Sequence, residues 1–364
     1  MTFAFSRMMP LRLPFMLLAG AAALAACSTA APPPVALAPA VIPPHAAAPP
    51  PVALSSRVVE HASEFRTYMK RAASITPNFN SGASIEDSLE RGESFEPQQL
   101  SRGAIAYAAV IALQEPGFVA GVRTYAVDPE GRKAMAQRLM ADPYYATGLP
   151  GASAAAGLII ASLQAEGARV RGAGELVKQS AYDVQHQAWS KEFITDPTGR
   201  LAHAKAVSST PMTPEPGDVA QLSAAVTGDA KAASSRFAVE AGASSPPYTQ
   251  VVTRGLAVAA LAALGEGGDE NDAAVEGLLT DSNGGFCLNM SKLNLYQCLA
   301  VAKPWYEDIF CLGQHVLIDT GQCISKAAGG APPVQSLVAA AAPIAEQAPA
   351  SAKPAAKARK KAHR

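Results

Sequence analysis

The sequence lacks the short motifs that mark the commonest hydrolases and nucleotide-binding proteins. It contains no Gly-x-Ser-x-Gly, Ser-x-x-Lys, His-Glu-x-x-His or Gly-x-x-x-x-Gly-Lys segment. It also lacks a sustained alternation of apolar and polar residues, and no stretch repeats at a fixed period. The missing motifs exclude only those enzyme signatures. The missing alternation favours helices over strands.

Charge is missing from a long stretch near the start of the chain. Residues 28–56 contain no Lys, Arg, Asp or Glu and are mostly Ala, Pro, Val and Leu. Proline runs favour extended polyproline II structure, which has no internal hydrogen bonds. We therefore predict a Pro/Ala-rich linker over residues 27–56, ahead of the part of the chain that folds.

The first residues have the form of an export signal. Arg7 and Arg12 precede an apolar run, residues 13–23, which is too short to span a bilayer. Small residues then lead into a cysteine in Leu24-Ala25-Ala26-Cys27. This leader, residues 1–26 together with Cys27, resembles that of bacterial lipoprotein precursors.

The resemblance implies that the chain is cut before Cys27 and that lipid is attached to its thiol. Two or more acyl chains hold a protein stably at a membrane, whereas one does so only marginally. Ser28, rather than an aspartate, follows the cysteine, which favours the periplasmic face of the outer membrane. The alternative is an ordinary secretory signal that is cut elsewhere and leaves Cys27 as a spare thiol.

The charged residues are divided unevenly along the chain. Residues 57–325 carry 21 Lys and Arg against 29 Asp and Glu, whereas residues 326–364 carry 7 against 1. The Ala/Pro-rich tail, residues 326–364, is predicted to be disordered, and either to keep the chain soluble or to bind polyanions. The candidate anions are lipid phosphates, lipopolysaccharide and wall polymer, and not nucleic acid, because the chain is exported. The basic residues at its end are Lys353, Lys357, Arg359, Lys360, Lys361 and Arg364.

Residues 57–325 are predicted to form an all-α, bundle-like periplasmic domain, with a possible subdivision near residues 210–247. Apolar periodicity predicts helices over residues 57–71, 98–114, 151–163, 175–193 and 248–264. A capping box at Ser84 predicts a further short helix. Three Asp-Pro pairs predict helix starts, because Asp caps a helix and Pro suits its first turn. These pairs begin at Asp128, Asp142 and Asp196.

Four cysteines follow near the end of this domain. An even number of cysteines in an exported chain favours disulfides, and their spacing lacks the close pairs of a zinc site. Two helices, residues 288–303 and 304–318, are predicted to form a hairpin with its turn at Pro304. Cys287 and Cys298 lie too far apart along one straight helix to be bonded to each other. We therefore expect nested pairs, Cys298–Cys311 near the turn and Cys287–Cys323 at the open end.

One polar group is a weak candidate for catalysis. On a helix, Asp183 and His186 share a face, so they could act as an acid/base pair or as two metal ligands. A metal would need further ligands, such as His203 or Glu166, and no spacing supports that. An ordinary half-exposed helix face is the preferred interpretation. The aromatic pair Trp305-Tyr306 and the imidazole of His315 could line a groove for a partner or a sugar. Here too, burial in the core is the preferred interpretation.

The acidic segment, residues 269–272, lacks the glycine and the distal glutamate of a calcium loop. We interpret it as charge that favours a helix N-terminus.

The sequence thus favours a non-enzymatic envelope lipoprotein that tethers or scaffolds through its helical domain and basic tail. Its predicted partners are the membrane, through the lipid on Cys27, and an anionic surface or an envelope protein. The alternatives are a periplasmic enzyme that acts on cell-wall material near Asp183 and His186, and an assembly factor of an envelope complex. Neither a cofactor nor a metal is predicted.

Overall fold

The computed structural model describes residues 48–227 and 241–329. These ranges contain thirteen α-helices and no strand, so the predicted all-α fold class is confirmed. The helices are α1 Ser56–Ala73, α2 Gly82–Glu93, α3 Pro97–Ala112, α4 Pro116–Arg123, α5 Pro129–Ala141, α6 Ala152–Val184, α7 Pro197–Ser208, α8 Pro216–Thr227, α9 Gln250–Leu264, α10 Asp272–Glu276, α11 Ser282–Val301, α12 Trp305–Cys311 and α13 Asp319–Ala327. Short 3₁₀ helices cover Pro143–Gly148, Trp189–Lys191 and Asp269–Asn271.

Acid–proline pairs begin many of these helices. The predicted Asp-Pro starts are confirmed at α5, at the 3₁₀ helix and at α7, where each Asp side chain accepts a bond from a main-chain N–H of the first turn. Glu-Pro pairs act alike at α3 and α4, where Glu96 and Glu115 cap the helix. The predicted capping box lies three residues earlier than expected, with Ser81 as the N-cap and Ser84 as its partner.

Helices α3 and α9 form the centre of the core. Nearly every residue of both is buried, as expected for alanine-rich helices that are apolar on all sides. Helix α3 packs against α1, α6 and α9. Small residues allow this approach, because a Cβ at Gly255 would lie 2.7 Å from that of Ala108.

The last residues of the predicted linker are part of the folded body. Residues 48–55 lie against the body, since Ala53 N–H donates to the Ala262 carbonyl at 3.0 Å and Arg123 donates to the Pro50 carbonyl at 2.9 Å. Proline-rich backbone cannot form its own ladder, but its carbonyls accept bonds from neighbouring elements. The extended segment therefore covers the C-terminal end of α9.

Helix α6 is a single 33-residue helix, so the predicted break between residues 163 and 175 is wrong, and so is the predicted end at residue 193, because the helix ends at Val184. Two glycines between or near the predicted helices are points of close backbone contact. A Cβ at Gly167 would lie 2.6 Å from the Gly321 carbonyl oxygen, and one at Gly174 would lie 2.8 Å from that of Gly313. We call these four glycines the glycine seam.

The seam explains a π-helical segment, Leu312–Ile318, between α12 and α13. Its glycines are seven residues apart on α6 but eight apart on the facing segment. The i→i+5 hydrogen bonds of a π-helix enclose one residue more than the i→i+4 bonds of an α-helix, so the two spacings can match. The backbones then meet closely at both glycine pairs.

Candidate functional site

The predicted acid/base pair is not formed. Helix α6 ends at Val184, so Asp183 and His186 do not share a helical face. Both side chains are exposed, and Asp183 accepts a hydrogen bond from Gln179 Nε2 at 3.0 Å. No hydrogen bond or ion pair joins the two within the described ranges. The geometry therefore gives the enzyme interpretation no support at this place.

The acidic segment 269–272 binds the start of α1. Asp269 Oδ1 accepts from the Ser56 N–H at 2.7 Å and from the Ser56 hydroxyl at 2.9 Å, while Asp272 accepts from the Ser55 hydroxyl at 2.9 Å. The bonds from Ser56 lower the pKa of Asp269. The carboxylates thus interact with a helix N-terminus. This N-terminus belongs to α1, which is distant from them in sequence. No group of three His, Cys, Asp or Glu residues in the described ranges is placed to hold a metal ion.

The predicted cysteine pairs are confirmed. Cys287 is bonded to Cys323 and Cys298 to Cys311, each with Cα atoms 5.7 Å apart. The first joins α11 to α13 and the second joins α11 to α12. Helix α11 is therefore fixed covalently near both of its ends.

The outer side of α11 carries an apolar stripe. Phe286, Met290, Leu293 and Val301 are 68%, 38%, 45% and 74% exposed. Their spacing of four, three and eight residues places them on one side of the helix, where the exposed Gln297 separates Leu293 from Val301. The only charged residue of α11 is Lys292, which is buried on the other side. We call this stripe the α11 face.

An apolar groove lies at the C-terminal end of the α11 face. Its volume is about 420 Å³, and Tyr182, Val301, Tyr306 and Phe310 line it beside the Cys298–Cys311 disulfide. Tyr182 meets Phe310 edge to face, with ring centroids 6.3 Å apart. Tyr306, which was interpreted as core, is half-buried and forms part of this wall.

Trp305 and His315, which were also interpreted as core, are half-buried, and Trp305 packs against the core. Trp305 contacts Gly82 at the start of α2, because a Cβ on that glycine would overlap the indole ring. His315 Nδ1 lies 2.9 Å from Asp319 Oδ2, one helical turn away. Neither residue lines the groove.

A second depression, which the sequence did not predict, lies between α2 and α7. Its volume is about 530 Å³. Three glutamates on one side of α2 line it, and across the opening His203 Nε2 lies 3.5 Å from Glu90 Oε2. We call it the acidic cleft. Its ionisable lining residues are Glu86, Asp87, Glu90, Glu93, Asp196, Arg200 and His203.

Buried charges lie at the base of the acidic cleft. Arg200 Nη1 donates to both carboxylate oxygens of Asp308, at 2.6 and 2.7 Å. Burial raises the pKa of Asp308 to about 6 in spite of this partner. The contacts with Arg200 therefore offset only part of the cost of burying the Asp308 carboxylate.

Lys292 and Glu93 form the second buried group. The Lys292 ammonium donates to the Glu93 main-chain oxygen and to the Ser208 hydroxyl, and it lies 3.6 Å from the centroid of the Phe95 ring. Burial lowers the pKa of Lys292 and raises the pKa of Glu93. Each group is thus less readily charged than in water.

Cys27, which was predicted to carry a lipid anchor, and the basic residues at 353–364 lie outside the described residues. Within the described ranges, no single helix is long and apolar enough to cross a membrane, and α3 with α4 would do so only as a pair bent by 84°. Comparison of the chain with protein-family models, with curated proteins and with solved structures found no significant match.

Proposed function

We propose that this chain is a lipid-anchored, non-enzymatic protein of the bacterial envelope that holds a partner protein and an anionic surface near the outer membrane. The observation that carries the proposal is the pair of disulfides in the C-terminal helices. Disulfides persist in oxidising compartments such as the periplasm. They agree with the leader that ends at Cys27.

The α11 face supports the partner-binding part of this proposal. Solvent-exposed aromatic and aliphatic side chains in one stripe are typical of a surface that another protein covers. The face carries no charge along 20 residues, so its partner presents an apolar helix rather than a charged loop or polymer. Because disulfides fix α11 near both ends, little ordering entropy opposes binding.

The α11 face is tested by co-purification of the lipidated chain from crosslinked envelopes. Leu293→Asp places a charge within the stripe, whereas Leu176→Asp makes the same change at a 61% exposed leucine on α6. We expect one specific envelope protein to co-purify with the unmodified chain and with Leu176→Asp, but not with Leu293→Asp. Equal recovery from all three chains would remove the α11 face from the proposal. Recovery of a second copy of the chain would replace the partner with self-association.

The basic tail is tested separately by co-sedimentation with purified cell-wall sacculi. The processed chain carries Cys27→Ser to keep it soluble, with the terminal Lys and Arg residues either intact or changed to Gln. We expect pelleting that needs the basic residues and weakens as salt rises, because displaced counterions drive such binding. Equal pelleting of both chains at all salt concentrations would show that the tail does not bind the wall.

A further inference from the structure

The acidic cleft has far more negative than positive charge in its lining. Five carboxylates line it, against one guanidinium and one imidazole. The guanidinium of Arg200 is already matched by Asp308 and also donates to the Leu299 carbonyl. The cleft is therefore unsuited to anions such as phosphate.

Glu93 gives this cleft an unmet hydrogen-bonding requirement. The residue is 2% exposed, and its Oε2 atom has no hydrogen-bond partner among the residues that the structure describes. The nearby Lys292 ammonium donates instead to the main-chain oxygen of Glu93. A buried carboxylate oxygen without a donor is costly, and a donor from outside the chain removes that cost.

The size and shape of the cleft select the kind of donor. A volume of about 530 Å³ is much larger than one metal ion needs and lies in the range of organic ligands. Glu86, Glu90 and Glu93 follow one another at four and three residues, so their carboxylates lie along one side of α2. A chain-like cation can contact several of them in turn.

From this arrangement we infer that the acidic cleft binds a primary alkylammonium group, with Glu93 at the inner end and Glu86 and Glu90 at the opening. Such a group donates three hydrogen bonds and carries the charge that the lining lacks. Two sources share this chemistry. One is a free diamine, and the other is a lysine side chain from the C-terminal end of this chain.

The test is calorimetric titration of the processed chain, carrying Cys27→Ser, with 1,5-diaminopentane. Glu86→Gln with Glu90→Gln removes two charges at the opening, and Glu60→Gln with Glu130→Gln removes two exposed charges elsewhere. We expect saturable binding that weakens about tenfold or more in the first variant and stays within about twofold in the second. The isosteric change Glu93→Gln is expected to weaken binding at least as much as the first variant.

The source of the ammonium is distinguished by a chain in which Lys353, Lys357, Lys360 and Lys361 are changed to Gln. If the chain's own lysines occupy the cleft, this variant binds the diamine more tightly than the unmodified chain. If a free amine is the ligand, the two chains bind it equally. Absence of saturable binding by both chains up to about 10 mM, or equal weakening by the cleft and control substitutions, overturns the inference.

Discussion

Two interfaces of the helical body exclude water by opposite means. At the glycine seam, α6 meets the segment from α12 to α13 with no side chain between the backbones at two points. At the base of the acidic cleft, the interface is filled with charge instead, including Arg200 against Asp308 and Lys292 beside Glu93. The glycine seam depends on the absence of side-chain atoms. The base of the cleft depends on each buried charge having a partner.

This difference predicts how each interface fails. At the glycine seam, a new methyl group would meet backbone atoms. These atoms cannot move aside, because the rest of each helix is held by its packing against other helices. A buried ion pair fails when one member is removed, because the other is left charged in a medium that solvates it poorly. Of the four predictions below, ordered from the largest effect to the smallest, those at Asp308 and Gly321 test these expectations directly.

Removal of the Asp308 carboxylate should have the largest effect. Asp308→Ala leaves the guanidinium of Arg200 buried without its anion, and we expect a loss of about 3–5 kcal/mol in the free energy of unfolding. Urea denaturation measures this loss. Asp87→Ala, at a side chain that is 68% exposed, is expected to cost less than about 1 kcal/mol. If the double change Arg200→Met with Asp308→Leu does not recover part of the loss, unpaired charge is not its cause.

The two disulfides should contribute different amounts to the free energy of unfolding. Removing Cys287–Cys323, with a separation of 36 residues, should cost about 4 kcal/mol, and removing Cys298–Cys311, with 13 residues, about 3 kcal/mol. The larger loop restricts the unfolded chain more, so its removal restores more entropy to that state. Denaturation of the two double Cys→Ala chains without reductant measures the order. The reverse order would indicate that contacts in the folded state, rather than loop length, set these values.

The glycine seam should not tolerate added volume. Gly321→Val places atoms against the Gly167 carbonyl, which a Cβ alone would approach to 2.5 Å, and we expect a loss of about 1–3 kcal/mol. Gly172→Ala makes a change within α6 where no heavy atom lies within 4 Å of the new Cβ. That variant should gain up to about 1 kcal/mol through better helix propensity. Thermal unfolding of the two chains should therefore shift in opposite directions, and shifts of the same sign would contradict the seam's role.

The smallest effect is expected at His61, which lies between two carboxylates. Its Nδ1 is 3.0 Å from Glu64 Oε2, and its Nε2 is 3.0 Å from Glu276 Oε1. Burial acts to lower the pKa of His61, but the bond and charges of Glu64 and Glu276 outweigh it, so the pKa is raised. A raised histidine pKa gives stability that is complete below about pH 6.5 and is lost as the pH rises through the folded-state value.

The difference in unfolding free energy between the unmodified chain and His61→Gln should therefore be larger at about pH 6 than at about pH 8. We expect the change to be about 1 kcal/mol or less, because the contact is partly open to water. Denaturant titrations at both pH values measure it. A difference that stays constant with pH would mean that His61 is neutral in the folded chain.

Local signals in the sequence predicted a large part of the fold. Helix α1 was predicted within two residues at its ends, because its apolar period is regular. The Asp-Pro starts and the nested disulfides also followed from short-range geometry. Each of these depends on residues close in sequence, or on the rise of one helix.

The remaining features depend on partners that are distant in sequence. Gly167 and Gly174 are unfavourable residues inside a helix, and only the facing glycines explain why α6 retains them. The acidic cleft was missed because Glu86 and Glu90 on α2 are typical of a solvated helix face. The cleft exists only because α7 lies opposite. A carboxylate at Glu93, in line with the other two but next to buried residues, was the available signal.

The central claim is that lipid on Cys27 holds this helical body at a membrane. It is tested most directly by growing bacterial cells that express the unmodified chain or Cys27→Ser with an alkyne analogue of palmitate, followed by fractionation. We predict that the unmodified chain carries the label and sediments with membranes, while Cys27→Ser is unlabelled and soluble in the periplasm. Absence of label from the unmodified chain, or equal sedimentation of both, would contradict the claim.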